Sequence, residues 1–102
     1  MKYLCLVFID ENKLKDLPAN EFQALTDESL NYDDTLRSTG HFLAAQALES
    51  AHVASTVRVQ NGKASITDGP FAETKEQIGG FILIEAKDMT EARQIAAGIP
   101  DK

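Results

Sequence analysis

The residues best suited to chemistry lie in one short run between two predicted strands. Asp68-Gly69-Pro70-Phe71-Ala72-Glu73-Thr74-Lys75-Glu76 is followed closely by Gly79-Gly80, so a tight turn, four charged side chains and a glycine pair share thirteen residues. A carboxylate at a pocket rim can act as a general base or share a proton, which makes Asp68 a candidate catalytic residue. The alternative is structural: Asp68 or Gly69 would cap a short helix over 72–77.

A histidine is the simplest proton carrier to act with Asp68, because its unperturbed pKa is about 6.5. The sequence contains two, His41 and His52. His41 is the better candidate, since its predicted strand belongs to the sheet that the Asp68 run borders. The ordinary alternative for either histidine is a surface position or a core position with satisfied hydrogen bonds.

Five other residues of the run are candidates for contacting a substrate: Gly69, Pro70, Phe71, Glu73 and Lys75. The Lys75 ammonium can bind an anionic group, although Glu73, Lys75 and Glu76 would equally form a solvated helix face. Gly79-Gly80 either allows close approach of another backbone or ends the short helix. The sequence has no HxH, HxxxH or CxxC spacing, phosphate loop or nucleophile elbow, so no metal or cofactor is predicted.

The composition is that of one small soluble domain, with 102 residues, 43% apolar and 25% charged. A net charge of −6 would repel phosphate backbones, which argues against nucleic acid and anionic membranes as partners. No apolar run approaches the ~20 residues of a membrane span. The single cysteine, Cys5, fits a reducing compartment and a small buried side chain, so a cytoplasmic protein is predicted.

The elements that position the run are predicted in the order strand, helix, strand, inserted hairpin, strand, helix, a ferredoxin-like α+β pattern without its last strand. The strands are predicted over 2–10, 41–48, 53–60, 63–68 and 81–84, with Asn61-Gly62 as the hairpin turn. The first helix runs to Gly40 with Asn20 as its cap. The second opens at Asp88 with a capping box and buries Ala92, Ile95, Ala96 and Ile99.

Strands 2–10 and 81–84 are apolar on both faces. In the first, Tyr3, Cys5, Val7 and Ile9 alternate with Leu4, Leu6 and Phe8. A strand of a small open sheet usually has one wet face. Two apolar faces therefore predict that a second surface covers the sheet, and another subunit is the simplest candidate for it.

The run from Thr67 to Phe81 resembles the signature of the DGPF group of YCII-related domain proteins. The similarity extends to Ser38-Thr39-Gly40-His41, to the segment 55–63 and to Leu83-Ile84-Glu85-Ala86, and it covers nearly the whole chain. It implies a single domain over 1–102 in the dimeric α/β-barrel superfamily, whose paired sheets face each other across a cavity. Such a homodimer would supply the second cover.

The resemblance also carries expectations about function. In the wider family an active-site role is proposed for a His–Asp pair in the cavity, and some relatives are enzymes acting on small organic molecules. The family histidine of the first helix has no counterpart here, so the pair would be His41 and Asp68. Relatives usually continue into a last strand that pairs with the first. This chain ends at Lys102, so either it is truncated or the edge of strand 2–10 is left for another chain.

Three functions are consistent with these expectations. The first is an enzyme using acid–base chemistry by His41 and Asp68 in a cavity at the dimer interface. The second is a module that binds a small ligand, or regulates, without turnover. The third is a subunit that associates with a protein partner such as an extracytoplasmic-function sigma factor, since some DGPF members are encoded beside one. The distance between His41 and Asp68 tests the first.

Overall fold

The computed structural model describes residues 1–100 and is an α+β structure with two antiparallel sheets. The elements in chain order are β1 (Lys2–Ile9), α1 (Glu11–Lys15), α2 (Ala19–Ser38), β2 (Phe42–Ala47), a 3-10 turn (Ala51–Val53), β3 (Ser55–Gln60), β4 (Lys63–Asp68), β5 (Gln77–Glu85) and α3 (Met89–Ala97). The predicted order of the main elements is confirmed, and it follows the ferredoxin-like pattern. The short helix α1 was not predicted.

The main sheet has the strand order β1-β5-β2, and β5 runs antiparallel to both neighbours. Ile82 pairs with Cys5 on one side and with Ala45 on the other, so these three side chains point to the same face. Helices α2 and α3 cover that face. The small core lies there and consists of Leu36, Ile82, Ile84, Ala86, Ala92 and Ile95.

The opposite face of the main sheet is apolar and exposed within residues 1–100. On β1, Leu4, Leu6 and Phe8 are 57%, 49% and 53% exposed. They pair with apolar residues of β5, namely Leu83, Phe81 and Ile78. The two apolar faces predicted from the sequence are therefore present, and the helices cover one of them.

The helix ends show which capping predictions hold. Helix α2 begins after Pro18 and has no side-chain cap, so the prediction of Asn20 as its cap is wrong. Gly40, with a φ of 80°, ends the helix by letting the His41 N–H donate to the Leu36 carbonyl. Asp88 caps α3 as predicted, accepting from the Glu91 N–H at 2.9 Å. Of the residues predicted to be buried on α3, Ala96 is exposed. None of the described helices is long and apolar enough to cross a membrane.

The β3–β4 hairpin forms a separate two-stranded sheet. Its turn is the predicted pair, with a φ of 52° at Asn61 and 76° at Gly62. The helix predicted over 72–77 is wrong, because 71–76 consists of bends and coil and β5 already begins at Gln77. The Gln77 side-chain amide donates to the carbonyls of Ala72 and Thr74, at 2.9 and 3.1 Å, so a side chain takes up carbonyls that a helix would have paired.

Candidate functional site

The turn at Asp68-Gly69 is fixed to the start of the hairpin. Gly69 has a φ of 102°, a conformation that side chains other than glycine rarely adopt. Its N–H donates to the Ala54 carbonyl at 2.8 Å, and its own carbonyl accepts from the Thr56 hydroxyl at 2.8 Å. Asp68 caps no helix, so of the two interpretations of this residue the capping one is wrong. The Asp68 side chain is exposed, and the turn that carries it is tied to the hairpin through the backbone of Gly69.

This turn forms one wall of a polar pocket of about 490 Å³. Helix α1 and the 3-10 turn form other parts of its lining. The lining residues are Glu11, Asn12, Ala51, His52, Asp68, Gly69, Pro70, Glu73, Thr74, Lys75 and Gln77. Three segments that are far apart in the sequence thus meet at one end of the main sheet.

The Glu11 side chain is anchored through both of its carboxylate oxygens. Its two carboxylate oxygens accept hydrogen bonds from the Ala51 N–H at 2.8 Å and from the Ser50 hydroxyl at 2.7 Å. These bonds, with a smaller contribution from His52, hold the pKa of the Glu11 carboxyl below its ordinary value of 4.5 against the opposing effect of desolvation. Glu11 is therefore a fixed negative charge at neutral pH.

His52 stands next to this charge. Its Nε2 lies 3.8 Å from Glu11 Oε2, too far for a hydrogen bond but close enough for an ion pair when the ring is protonated. The side chain is 88% exposed, so a molecule in the pocket can reach the ring. The backbone N–H of His52 donates to Ser50 Oγ at 3.1 Å, which ties the histidine and its carboxylate partner to the same serine.

His41, the histidine favoured by the sequence, lies at the other end of the sheet. Its Nδ1 is 2.8 Å from the Glu85 carbonyl and 3.9 Å from Glu91 Oε1. Because β2 and β5 are antiparallel, the start of β2 meets the end of β5, whereas the pocket includes Gln77 at the beginning of β5. Strand β5 has nine residues, so at ~3.3 Å per residue its two ends are about 26 Å apart. Within one chain the structure does not bring His41 and Asp68 together.

Four of the five predicted substrate-contacting residues lie in the pocket, and the fifth does not. Gly69, Pro70, Glu73 and Lys75 line the pocket. Phe71 does not: its side chain is 80% exposed, and the Arg58 guanidinium lies 5.5 Å from the centre of its ring. Sequence reasoning missed Glu11 and Ser50 and ranked His52 second. The available signals were an acidic pair directly after β1 and a serine two positions before a histidine, neither of which shows that the two meet.

Gly79 and Gly80 belong to β5 rather than to a helix end. A Cβ built on Gly80 would lie 2.8 Å from the Gln46 carbonyl oxygen, and one on Gly79 would lie 2.5 Å from the Ile9 Cδ1. The first alternative given by the sequence, close approach of another backbone, is therefore confirmed at Gly80.

The fold and the pocket together define a small α+β protein of ferredoxin-like pattern with a candidate acid–base site at one end of its main sheet. The sequence profile of the YCII-related domain matches residues 1–101, so the chain belongs to the YCII-related family. One relative, "Uncharacterized protein R00369" of Rhizobium meliloti (strain 1021), is 49% identical over 43 residues. That match covers 42% of this chain and 35% of the relative, so it spans about a third of the relative's length.

Proposed function

We propose that this YCII-related protein acts on a small organic molecule by acid–base chemistry in the polar pocket. His52 is the proton carrier, Glu11 is its charge partner and Asp68 is a second carboxylate that contacts the substrate. The observation that carries the proposal is the anchored Glu11 carboxylate, 3.8 Å from His52 Nε2, in a pocket that Asp68 also lines.

The chemistry follows from the charges. The His52 imidazole can release a proton to a substrate and take it back, and the Glu11 carboxylate 3.8 Å away can pair with the ring while it carries the proton. Asp68 lies across the same pocket and can accept a hydrogen bond from a substrate hydroxyl or amine. The volume of about 490 Å³ falls within the roughly 300–1,000 Å³ of small-molecule sites.

The subunit is proposed to work as a homodimer joined through the exposed sheet face defined by Leu4, Leu6 and Phe8. These side chains form a continuous row on β1, backed by apolar residues of β5. Such a row on a free surface costs stability unless another surface covers it. Replacing Leu6 by Lys puts a charge in the middle of the row, and light scattering should then show a shift from dimer to monomer. A wild-type monomer at micromolar concentration would contradict the proposal.

A non-catalytic binding module is the second candidate. It is favoured by the openness of the site, since a His52 side chain that is 88% exposed is not shielded from water. A binding site needs complementary charges and hydrogen bonds, and the pocket supplies both without closing.

One experiment separates the two candidates. The purified protein is incubated with a cell-metabolite extract, and mass spectrometry follows compounds that are consumed, produced or retained on the protein. For an enzyme, His52→Gln should lower the conversion rate by ~10²–10⁴, the usual contribution of a general acid–base group. Glu11→Gln and Asp68→Asn should lower it less, and the matched control His41→Gln should leave it unchanged.

Two results would contradict the proposal, the first in the role of His52 and the second in the enzymatic function itself. If His41→Gln lowered the conversion rate while His52→Gln kept full activity, the proton carrier would be His41 rather than His52. A compound retained unmodified by the wild type and released by Asp68→Asn would instead support the binding module.

A further inference from the structure

A second cavity, of about 440 Å³, lies between α2 and the covered face of the main sheet. It shares no lining residue with the polar pocket. Side chains from β1, β2, β5 and α2 surround it, and most are apolar, among them Val7, Leu25, Ala45 and Ile82. The acid–base site does not use this space.

The cavity exists because the sheet has little side-chain volume beneath the first half of α2. The floor contains Ala45, Ala47, Gly79 and Gly80. Gly80 cannot carry a side chain without displacing the Gln46 carbonyl 2.8 Å away. Leu36, near the end of α2, is 4% exposed, whereas Phe22 near its start is 46% exposed, so the helix packs tightly at one end only.

One carboxyl group lies in the lining. Among the described lining residues Asp33 is the sole one with a charged side chain, and it is partly buried. Burial raises the pKa of the Asp33 carboxyl, the Arg37 charge opposes this and the Asp34 charge adds to it. Two of the three lining hydroxyls are engaged with backbone carbonyls, since Thr26 donates to Phe22 and Tyr32 donates to Ile95.

We propose that this cavity binds an apolar molecule carrying a primary amine, with the ammonium group on the Asp33 carboxylate and the apolar body between α2 and the sheet. A partly desolvated carboxylate gains most from a cationic hydrogen-bond donor, and such a charge-assisted bond is stronger than one to a neutral donor. The described lining offers no basic side chain to receive an acid. The inference is independent of the acid–base function, because it concerns different residues and is tested by binding alone.

The probes are three molecules with the same eight-carbon chain: n-octylamine, n-octanol and octanoate. Each is titrated into isotopically labelled full-length protein at neutral pH and followed by amide NMR shifts. Octylamine should bind most tightly and should shift the resonances of Leu25, Ser29, Ala45 and Gly80. Octanol should bind more weakly, and octanoate should show no saturable binding because its charge repels Asp33.

The variants are matched in charge and position. Asp33→Asn should weaken octylamine binding by about tenfold, the equivalent of one charge-assisted hydrogen bond at a partly exposed position. Asp34→Asn makes the same charge change one residue away, outside the lining, and should change the affinity much less than Asp33→Asn does. Ser29→Phe should weaken all saturable binding by filling the cavity from the helix side.

Each of three binding results would overturn the proposal: octanoate binding as tightly as octylamine, equal octylamine affinities in the wild type and Asp33→Asn, or shifts confined to Leu4, Leu6 and Phe8 on the exposed sheet face. Saturable binding of none of the three probes would do so as well. Because Ser29→Phe alters a different side chain, the cavity is still tested if Asp33→Asn does not fold.

Discussion

The two ends of strand β5 differ in how deeply they are buried and in the surfaces that they border. At the Glu85 end Ile84 is fully buried at 0% exposure, and the amino terminus donates to the Ala86 carbonyl and lies 2.7 Å from the Glu85 carboxylate. At the Gln77 end Ile78 is 39% exposed, and both the polar pocket and the apolar cavity reach this part of the strand. One end therefore holds the domain together, and the other offers concave surfaces.

The two histidines show what this difference does to one residue type. His41, at the Glu85 end, has a ring nitrogen 2.8 Å from a backbone carbonyl and bridges β2 and β5. The ring of His52, near the Gln77 end, lies 3.8 Å from the Glu11 carboxylate and is open to solvent. Functional side chains commonly lie on loops held by a rigid scaffold, and this arrangement follows that rule.

The largest effect expected from this comparison is on stability at the Glu85 end. Replacing Ile84 by Ala should lower the free energy of unfolding by about 3 kcal/mol, because a cavity would open in a small core. In the Leu6→Lys variant, where no partner subunit covers the sheet face, replacing Ile78 by Ala at the opposite end should cost less than about 1 kcal/mol, since that side chain is then partly in water. Urea unfolding at a fixed protein concentration measures both. Equal losses would mean that the two ends are equally packed.

The glycine pair gives a smaller and more local contrast. Gly80→Ala should destabilise by about 2 kcal/mol, because its Cβ meets a backbone oxygen of β2 that cannot move without shifting the strand pairing. Gly79→Ala meets only side-chain atoms of Ile9, which can rotate, and should cost roughly half as much.

Thermal unfolding of both glycine variants, with amide exchange of β2 as a local probe, tests this difference. Faster exchange in β2 is expected only for Gly80→Ala. A larger loss for Gly79→Ala would show that the Ile9 side chain is held more rigidly than the β2 backbone.

Much of the fold could be predicted from local patterns. The alternation in β1, the Asn61-Gly62 turn and the Asp88 cap each depend on neighbouring residues, and all three agree with the structure. The wrong predictions concern segments whose structure depends on contacts that local sequence patterns do not reveal. The helix expected over 72–77 gives way to a loop because the Gln77 side chain takes the carbonyls, and β5 begins four residues earlier than predicted.

The candidate site was less predictable than the fold. The Asp68 run was recognised, and four of its five predicted contact residues line the pocket. Within one chain Asp68 shares its pocket with His52 and not with His41, because membership of the same sheet says nothing about which end of a strand a residue occupies. His41 belongs to that sheet but lies at its other end, whereas Glu11 at the start of α1 and His52 in the 3-10 turn meet only because of the whole topology.

The smallest effects expected are pH-dependent and have opposite signs for two carboxylates. The pKa of Glu11 is lowered in the folded protein, so its contribution to stability is present above the unfolded value of 4.5 and is lost as the pH falls through the folded value. The pKa of Asp33 is raised, so its contribution is favourable below the unfolded value of 3.8 and is lost as the pH rises through the folded value.

At neutral pH, Glu11→Gln should therefore destabilise, and Asp33→Asn should stabilise by at most about 0.5 kcal/mol, since water screens a partly exposed carboxyl. Urea unfolding of both variants between pH 3 and 7 should show the two differences shrinking together toward acid pH. A destabilised Asp33→Asn at neutral pH would mean that the carboxylate is already paired, and the cavity would then lack the charge assigned to it.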